Sequence, residues 1–247
     1  MRSCAALFES RRDQHVGERR SRRPLALWMT LVFALPLFAE GAALDAVSSK
    51  EAGSGLRAAL SQGVDKAISR LGTPNGFLNN PQYAIPLPPA LEKADRALRL
   101  IGMSGDTEKL RTAMNHAAEA AVADARPIFK QAVLHMSVKD AKGILTGGDT
   151  AATDYFRTAT SAQLAGKFKP IVAQATAKMK ARELYDEYAG KAAQVGFVRS
   201  QDANLNDYVT ARAMDALFAE IAAEEKAIRK DPMGQASNLI KKVFGSL

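Results

Sequence analysis

The chain has 247 residues, 47% of them hydrophobic and 24% charged, which excludes both a disordered tail and a polytopic membrane protein and leaves room for one globular domain. Its single cysteine, Cys4, lies in a segment read below as removed, so disulfide, thiolate–zinc and cysteine-nucleophile chemistry fall together. The net charge of +8 suits nucleic acid only superficially: residues 1–40 hold seven of the 34 basic and four of the 26 acidic side chains, and the remaining 27 against 22 alternate in sign without interleaved aromatics. Nucleic acid is therefore not an expected partner.

Arg19-Arg-Ser-Arg-Arg23 precedes fifteen largely apolar residues, Leu25 to Ala39, and then small residues ending at Ala43. Basic head, short apolar middle and small-residue cleavage site are the layout of a secretory signal. An anchor needs about 20 apolar residues, and Pro36 shortens the run further. Residues 1–43 thus read as an N-terminal extension with a cleavable signal, cut after Ala43 or, alternatively, after Ala39. Ser21 to Leu25 matches a twin-arginine signal only partly, so general secretion to the periplasm is the preferred route. The head before Arg19 reads as unstructured, with a misassigned start codon as the alternative.

From Ser54, the residues Leu56, Leu60, Val64, Ala67, Ile68 and Leu71 step by three and four, which predicts a helix stopped by Gly72. Thr73 to Pro89 holds five of the ten prolines and cannot be helical; "QYAIPL" (82–87) reads as an extended piece over the core. Pro88 and Pro89 suit the first turn of a helix burying Leu91, Ala94, Leu98 and Ile101, which ends at Gly102. Asp106 is placed as the cap of the next, with Leu110, Ala113, Met114, Ala117 and Ala121 inward. A further helix containing Pro127 buries Ile128, Phe129, Ala132, Val133 and Met136.

Ser137 and Asp140 have capping-box spacing and open a short helix that ends at Gly147 and Gly148. Tyr155, Phe156, Ala159, Ala162 and Phe168 mark another, capped by Asp149 or Thr150; Lys169-Pro170 is expected to open a separate one, in a run long enough for two. Asn206 is placed as the cap of a strong helix with Val209, Ala213, Leu217, Ile221 and Ile228 on one face, ended by Asp231-Pro232. A short amphipathic tail follows with Leu239, Ile240, Val243 and Phe244 on one side. No run alternates with period two. The expectation is an all-α fold: residues 44–247 as a single compact domain of about seven to nine helices with one proline-rich irregular segment.

"GILTGGDT" (143–150) has the glycine spacing of a phosphate-binding loop. Such a loop follows a buried strand and carries a lysine, whereas "SVKDAK" here is helical and the lysine position is Asp149. The stretch reads as an interhelical turn, with Gly147 and Gly148 supplying positive φ.

Ordered blocks carry a wider likeness: "SGLRAALSQGVDKAISRLG", "GFLNNPQYAIPLP", "AMNHAAEAAV", "MSVKDAKGILTGGDTAATDYFR", "KFKPIV", "DANLNDYVT" and "EEKAIRKDPMGQAS". Over residues 45–247 the chain resembles the bacterial family called domain of unknown function 4197. The resemblance implies an exported helical protein of Gram-negative bacteria and supplies no activity, cofactor or catalytic residue. His116 departs from the family pattern, in which an arginine is common at that place.

No catalytic, cofactor-binding or metal site is expected. His116 and Glu119 are three apart on one helix, but a metal wants three or four ligands, so they read as solvated surface. Glu224 and Glu225 adjoin Lys226, Arg229 and Lys230 and read as an ion-paired helix end. No GxSxG stretch exists to mark a serine nucleophile. The recognisable polar cluster is Asp140, Lys142, Asp149, Asp154, Tyr155 and Arg157 around the glycine turn.

Two functions of different class fit. The first is a non-enzymatic periplasmic interaction protein, with Leu239, Ile240, Val243 and Phe244 docking on a protein partner, on a second copy, or on a membrane surface through Lys241 and Lys242. The alternative is a binder of a small apolar or amphipathic ligand between helices, covered by the proline-rich segment. A hydrolase of unknown specificity ranks third.

Overall fold

Leu56, Leu60, Val64, Ala67, Ile68 and Leu71 are all buried, as a helix with one core-facing stripe requires. They lie on α1 (Ser49–Leu71) of a computed structural model that describes residues 49–100, 107–194, 204–233 and the single positions 238, 241, 243 and 245. Among the described residues there are eight helices and no strand, so the fold is all-α. The chain divides into two units, Met1–Ala39 and Glu40–Leu247. The first unit, with the expected signal, lies outside the described residues, as do Ile101, Gly102, Asp106, the side chains of Ala94 and Leu98, and the tail residues Leu239, Ile240, Lys242 and Phe244.

After α1 the chain turns at Thr73-Pro74-Asn75-Gly76, where the Gly76 amide donates to the Thr73 carbonyl at 2.9 Å and Asn75 takes φ 64°. Proline second and a left-handed residue third is the pattern of a type II turn, and asparagine tolerates that conformation better than most side chains. Phe77, Tyr83, Ile85 and Leu87 then bury against the helices, so the proline-rich segment does lie on the core. Its backbone lacks a neighbouring strand, and Asn115 replaces one: Asn115 Nδ2 donates to the Ile85 carbonyl at 3.1 Å and Asn115 Oδ1 accepts from the Ile85 amide at 2.7 Å. A buried amide side chain thereby satisfies backbone groups that burial would otherwise strand.

The other elements are α2 (Pro89–Leu100), α3 (Thr107–Ala123), α4 (Arg126–His135), α5 (Val138–Thr146), α6 (Ala151–Lys178), α7 (Ala181–Gln194) and α8 (Leu205–Lys230). Helices α1, α3, α6 and α8 pack on one another, while α4 and α5 cover α1 and α6, and α7 lies against α3. At the centre Phe129 of α4 meets Phe156 of α6 and Phe218 of α8 edge to face, with ring centroids 5.2 and 6.1 Å apart.

Three boundaries differ from the sequence reading. Pro170 does not open a helix; α6 runs through it for 28 residues. Proline frees the carbonyl four residues earlier, here that of Gly166, which is exposed and so open to water. The flanking Leu164, Phe168 and Val172 are fully buried, and at roughly 1.5–3 kcal/mol each they outweigh the roughly 3 kcal/mol penalty of an internal proline. The expected inward residues Ala159 and Ala162 are exposed, and Thr160 and Leu164 take the buried row instead. The division of the run comes ten residues later, where Lys180 adopts φ 52° between α6 and α7. The third difference is at α8: the cap is Asn204, whose side chain accepts from the amides of Asn206 and Asp207. Asn206 lies inside the helix and its Oδ1 accepts from Thr176 Oγ1 of α6 at 2.8 Å.

Candidate functional site

The glycine turn is built as a helix end. The Ser137 hydroxyl accepts from the Asp140 amide at 3.1 Å and Asp140 Oδ2 accepts from the Ser137 amide at 3.0 Å, the full capping box of α5. The same Ser137 hydroxyl and amide hold the Asp140 carboxyl below the usual carboxylate range. Helix α5 then runs into the turn, so no strand feeds Gly143, and Asp149 is exposed. The expected positive φ is absent. Gly147 is extended at φ −85°, and Gly148 also lies outside the left-handed region. Space, not conformation, demands glycine at 147, because an added Cβ would stand 2.6 Å from both the Ala151 Cβ and the Gly143 carbonyl oxygen.

The polar cluster expected around this turn is only partly assembled. Tyr155 donates its hydroxyl to the Ala132 carbonyl at 2.8 Å, and burial first, then the Asp140 charge, raises its pKa. Arg157 is turned toward α8, its guanidinium 4.5 Å over the Phe218 ring. Lys142, Asp149 and Asp154 are exposed. Asp140 and Tyr155 share a field, but Arg157 does not join them.

Thr150 occupies the cap position of α6 with no side-chain bond of its own. The cap is supplied from α8: Glu225 accepts from the Ala152 and Thr153 amides at 2.9 Å each and from the Thr153 hydroxyl at 2.8 Å. An anion at a helix N-terminus meets both free amides and the positive end of the dipole. Arg229 neutralises it, Nη2 donating to Glu225 Oε1 at 2.9 Å and to the Ile144 carbonyl at 2.8 Å, which also secures the end of α5.

Glu224 and Glu220 look the other way along α8. Arg70 of α1 reaches both carboxylates at 2.5 Å, and Lys66 reaches Glu224 at 3.4 Å. Hydrogen bonding to Glu220, ahead of any other influence, raises the Arg70 pKa. These carboxylates are ion-paired, as expected of Glu224 and Glu225, but they are buried and join separate helices rather than finishing one. A signal existed in the sequence: Leu217, Glu220, Ile221, Glu224, Glu225 and Ile228 continue the three-and-four spacing of a buried stripe.

His116 and Glu119 also depart from the surface reading. Glu119 is buried and accepts from the amides of Asn75, Phe77 and Leu78 at 3.1–3.2 Å, while His116 Nδ1 lies 2.7 Å from its second oxygen. The carboxylate ties the 73–80 turn to α3, adding to the turn's own backbone bonds from the amides of Gly76, Asn79 and Asn80. Among the described residues no group of three or more His, Cys, Asp or Glu stands close enough to share a metal ion.

Beside the Arg70 pairs lies a surface groove of about 380 Å³. Gln82, Tyr83, Ile85 and Pro86 form one wall and Arg212, Asp215, Ala216 and Ala219 of α8 the other. Its walls combine apolar surface with an unlike-charged pair, and Arg212 rests 5.4 Å from the Tyr208 ring. Tyr208 in turn donates to the Pro86 carbonyl at 3.2 Å, tying the proline segment to α8. Tyr83 Oη is buried with no hydrogen-bond partner at bonding geometry, yet burial and then the neighbouring Glu220 carboxylate push its pKa up to about 12. Of the apolar tail, Val243 is buried in the chain's own core.

A family model described as protein of unknown function (DUF4197) matches residues 46–245. No curated protein and no solved structure matches the chain.

Proposed function

The chain belongs to the DUF4197 family, and from that membership, which brings no activity with it, we propose a non-enzymatic interaction protein of the periplasm that receives its partner in the groove between residues 82–86 and α8. The groove itself carries this reading. It presents Arg212 and Asp215 beside the exposed Pro86 and Ala219 on two elements tied together by the Tyr208 hydroxyl, the first also held by the Asn115 bracket. A preformed concavity of mixed lining is how binding sites are usually built. Export rests on residues 1–43, whose basic head, apolar middle and small-residue end have the layout of a secretory signal.

The test is a photo-crosslinking side chain at exposed Ala219, compared in intact cells with one at exposed Gln174 on α6. A discrete protein adduct at 219, weakened by Arg212→Glu and missing at 174, is the expected result. Identical adduct patterns at the two positions overturn the groove. Deleting the chain beyond Asp231 should lower Tm without changing the adduct, since Val243 packs inward.

A second reading shares the site. About 380 Å³ falls in the size range of small-molecule pockets, so a small amphipathic ligand fits as well as a chain segment. Native mass spectrometry of protein from its own compartment separates the two: a co-purifying small mass lost in Arg212→Glu supports the ligand, and a clean apo mass removes it.

A further inference from the structure

Two of the large apolar side chains most open to solvent among the described residues are Leu134, 58% exposed, and Val138, 86% exposed. They stand four residues apart on either side of the Met136–Ser137 elbow that joins α4 to α5. Fraying does not account for their exposure. Met136 is buried, its carbonyl accepts from Arg57 Nη2 at 3.3 Å, Tyr155 holds the Ala132 carbonyl, and the capping box locks Ser137. The fold presents both side chains outward on a fastened elbow.

The charge around them is one-sided. Residues 128–146 carry Lys130, Lys139 and Lys142, all exposed, against one carboxylate, Asp140, which is occupied by the Ser137 hydroxyl and amide. Arg126, just before, is paired with Asp65. We propose that the α4–α5 elbow is an interfacial anchor that seats on an anionic phospholipid surface, with Leu134 and Val138 entering the headgroup region and the three lysines meeting lipid phosphates.

A lipid surface fits better than a protein. A stable protein interface buries about 800 Å² on each side and favours aromatic and arginine anchors over lysine; two aliphatic side chains among lysines offer neither. Lysine's long stem and compact charge suit a diffuse layer of phosphates. Each lysine near such a surface is worth roughly a fivefold gain in partitioning, and the gain is screened by salt. The proposal is independent of the groove, which lies on other elements.

The test is flotation of the full chain with phosphatidylcholine vesicles, with and without phosphatidylglycerol, beside two variants of unchanged helicity and Tm: Leu134→Ser with Val138→Ser, and Lys130, Lys139 and Lys142 each →Gln. The N-terminal segment is common to all three proteins, so its own affinity cancels. Both variants should lose at least tenfold in partitioning to the anionic vesicles, and the parent's advantage should vanish in high salt. A Leu134→Trp protein should gain blue-shifted emission on anionic vesicles beyond that of the parent. Equal partitioning of parent and variants, loss in the lysine variant alone, or no blue shift from the indole introduced at position 134 refutes the anchor.

Discussion

Replacing Glu225 by alanine strips α6 of its cap, because the two amides of Ala152 and Thr153 and the Thr153 hydroxyl have this carboxylate from α8 as their acceptor. It also removes the carboxylate that Arg229, whose side chain is only 14% exposed, grips at 2.9 Å. A charge-assisted hydrogen bond is worth about 1.5–3 kcal/mol net, and the helix dipole adds up to ~2 kcal/mol in a buried geometry. These terms are not additive, and breaking a buried pair by removing one partner sets the scale at about 4 kcal/mol. For a domain of this size that corresponds to a fall in Tm of roughly 8–16 °C. Glu225→Gln keeps an acceptor but turns an amide donor toward either the N–H groups or Arg229, so about half of the loss is expected. The measurement is thermal and urea unfolding followed by circular dichroism at 222 nm, with a double-mutant cycle through Arg229→Met to isolate the pair. A loss under about 1 kcal/mol for the alanine variant would refute the claim that α8 caps α6.

Three other outcomes follow from single positions. Gly63 is buried inside α1, and an added Cβ would meet the Glu224 Cβ at 3.7 Å and the Ile228 Cδ1 at 3.8 Å, ordinary contact distances. Gly63→Ala should therefore stabilise by about 1 kcal/mol through helix propensity and methyl burial, seen as a higher urea midpoint; destabilisation would show that the α1–α8 contact is tighter than this. Lys180→Gly should also stabilise, by about 1 kcal/mol in the same assay, because φ 52° costs a side chain what it does not cost glycine. Tyr83 binds its proton more tightly in the fold, at about 12 against 10.0 when free. The stability this contributes is complete below pH 10 and is lost as pH rises through 12. Tyr83→Phe should thus gain about 2 kcal/mol on the parent across that alkaline window, whereas parallel pH profiles would mean that neither burial nor Glu220 holds the proton on the phenol.

Much of the fold was legible because helical periodicity is a local property. The stripes of α1, α3 and α8, the capping box at Ser137 and the stop at Asp231-Pro232 each depend on residues within a few positions of one another. The site was less legible. Asn204 and Asn206 both have the chemistry of a cap; the fold gives the free amides of residues 206 and 207 to Asn204 and sets the Asn206 side chain beside Thr176 of α6, a contact no local spacing records. The polar cluster at the glycine turn was assembled from sequence neighbours, and neighbours on a helix point in different directions, so Arg157 went to Phe218 while Tyr155 went to Ala132.

By itself the sequence determined that the chain is helical, where most helices begin and end, and that no strand feeds the glycines of 143–148. Tertiary structure alone decided that α6 continues through Pro170, that Glu225 caps it from 73 residues away, and that Glu119 anchors the turn at 75–78. The physical reason is the same in each case. A proline's cost or a buried carboxylate's role depends on what lies against it, and that is set by packing between segments distant in the chain, which no local spacing records.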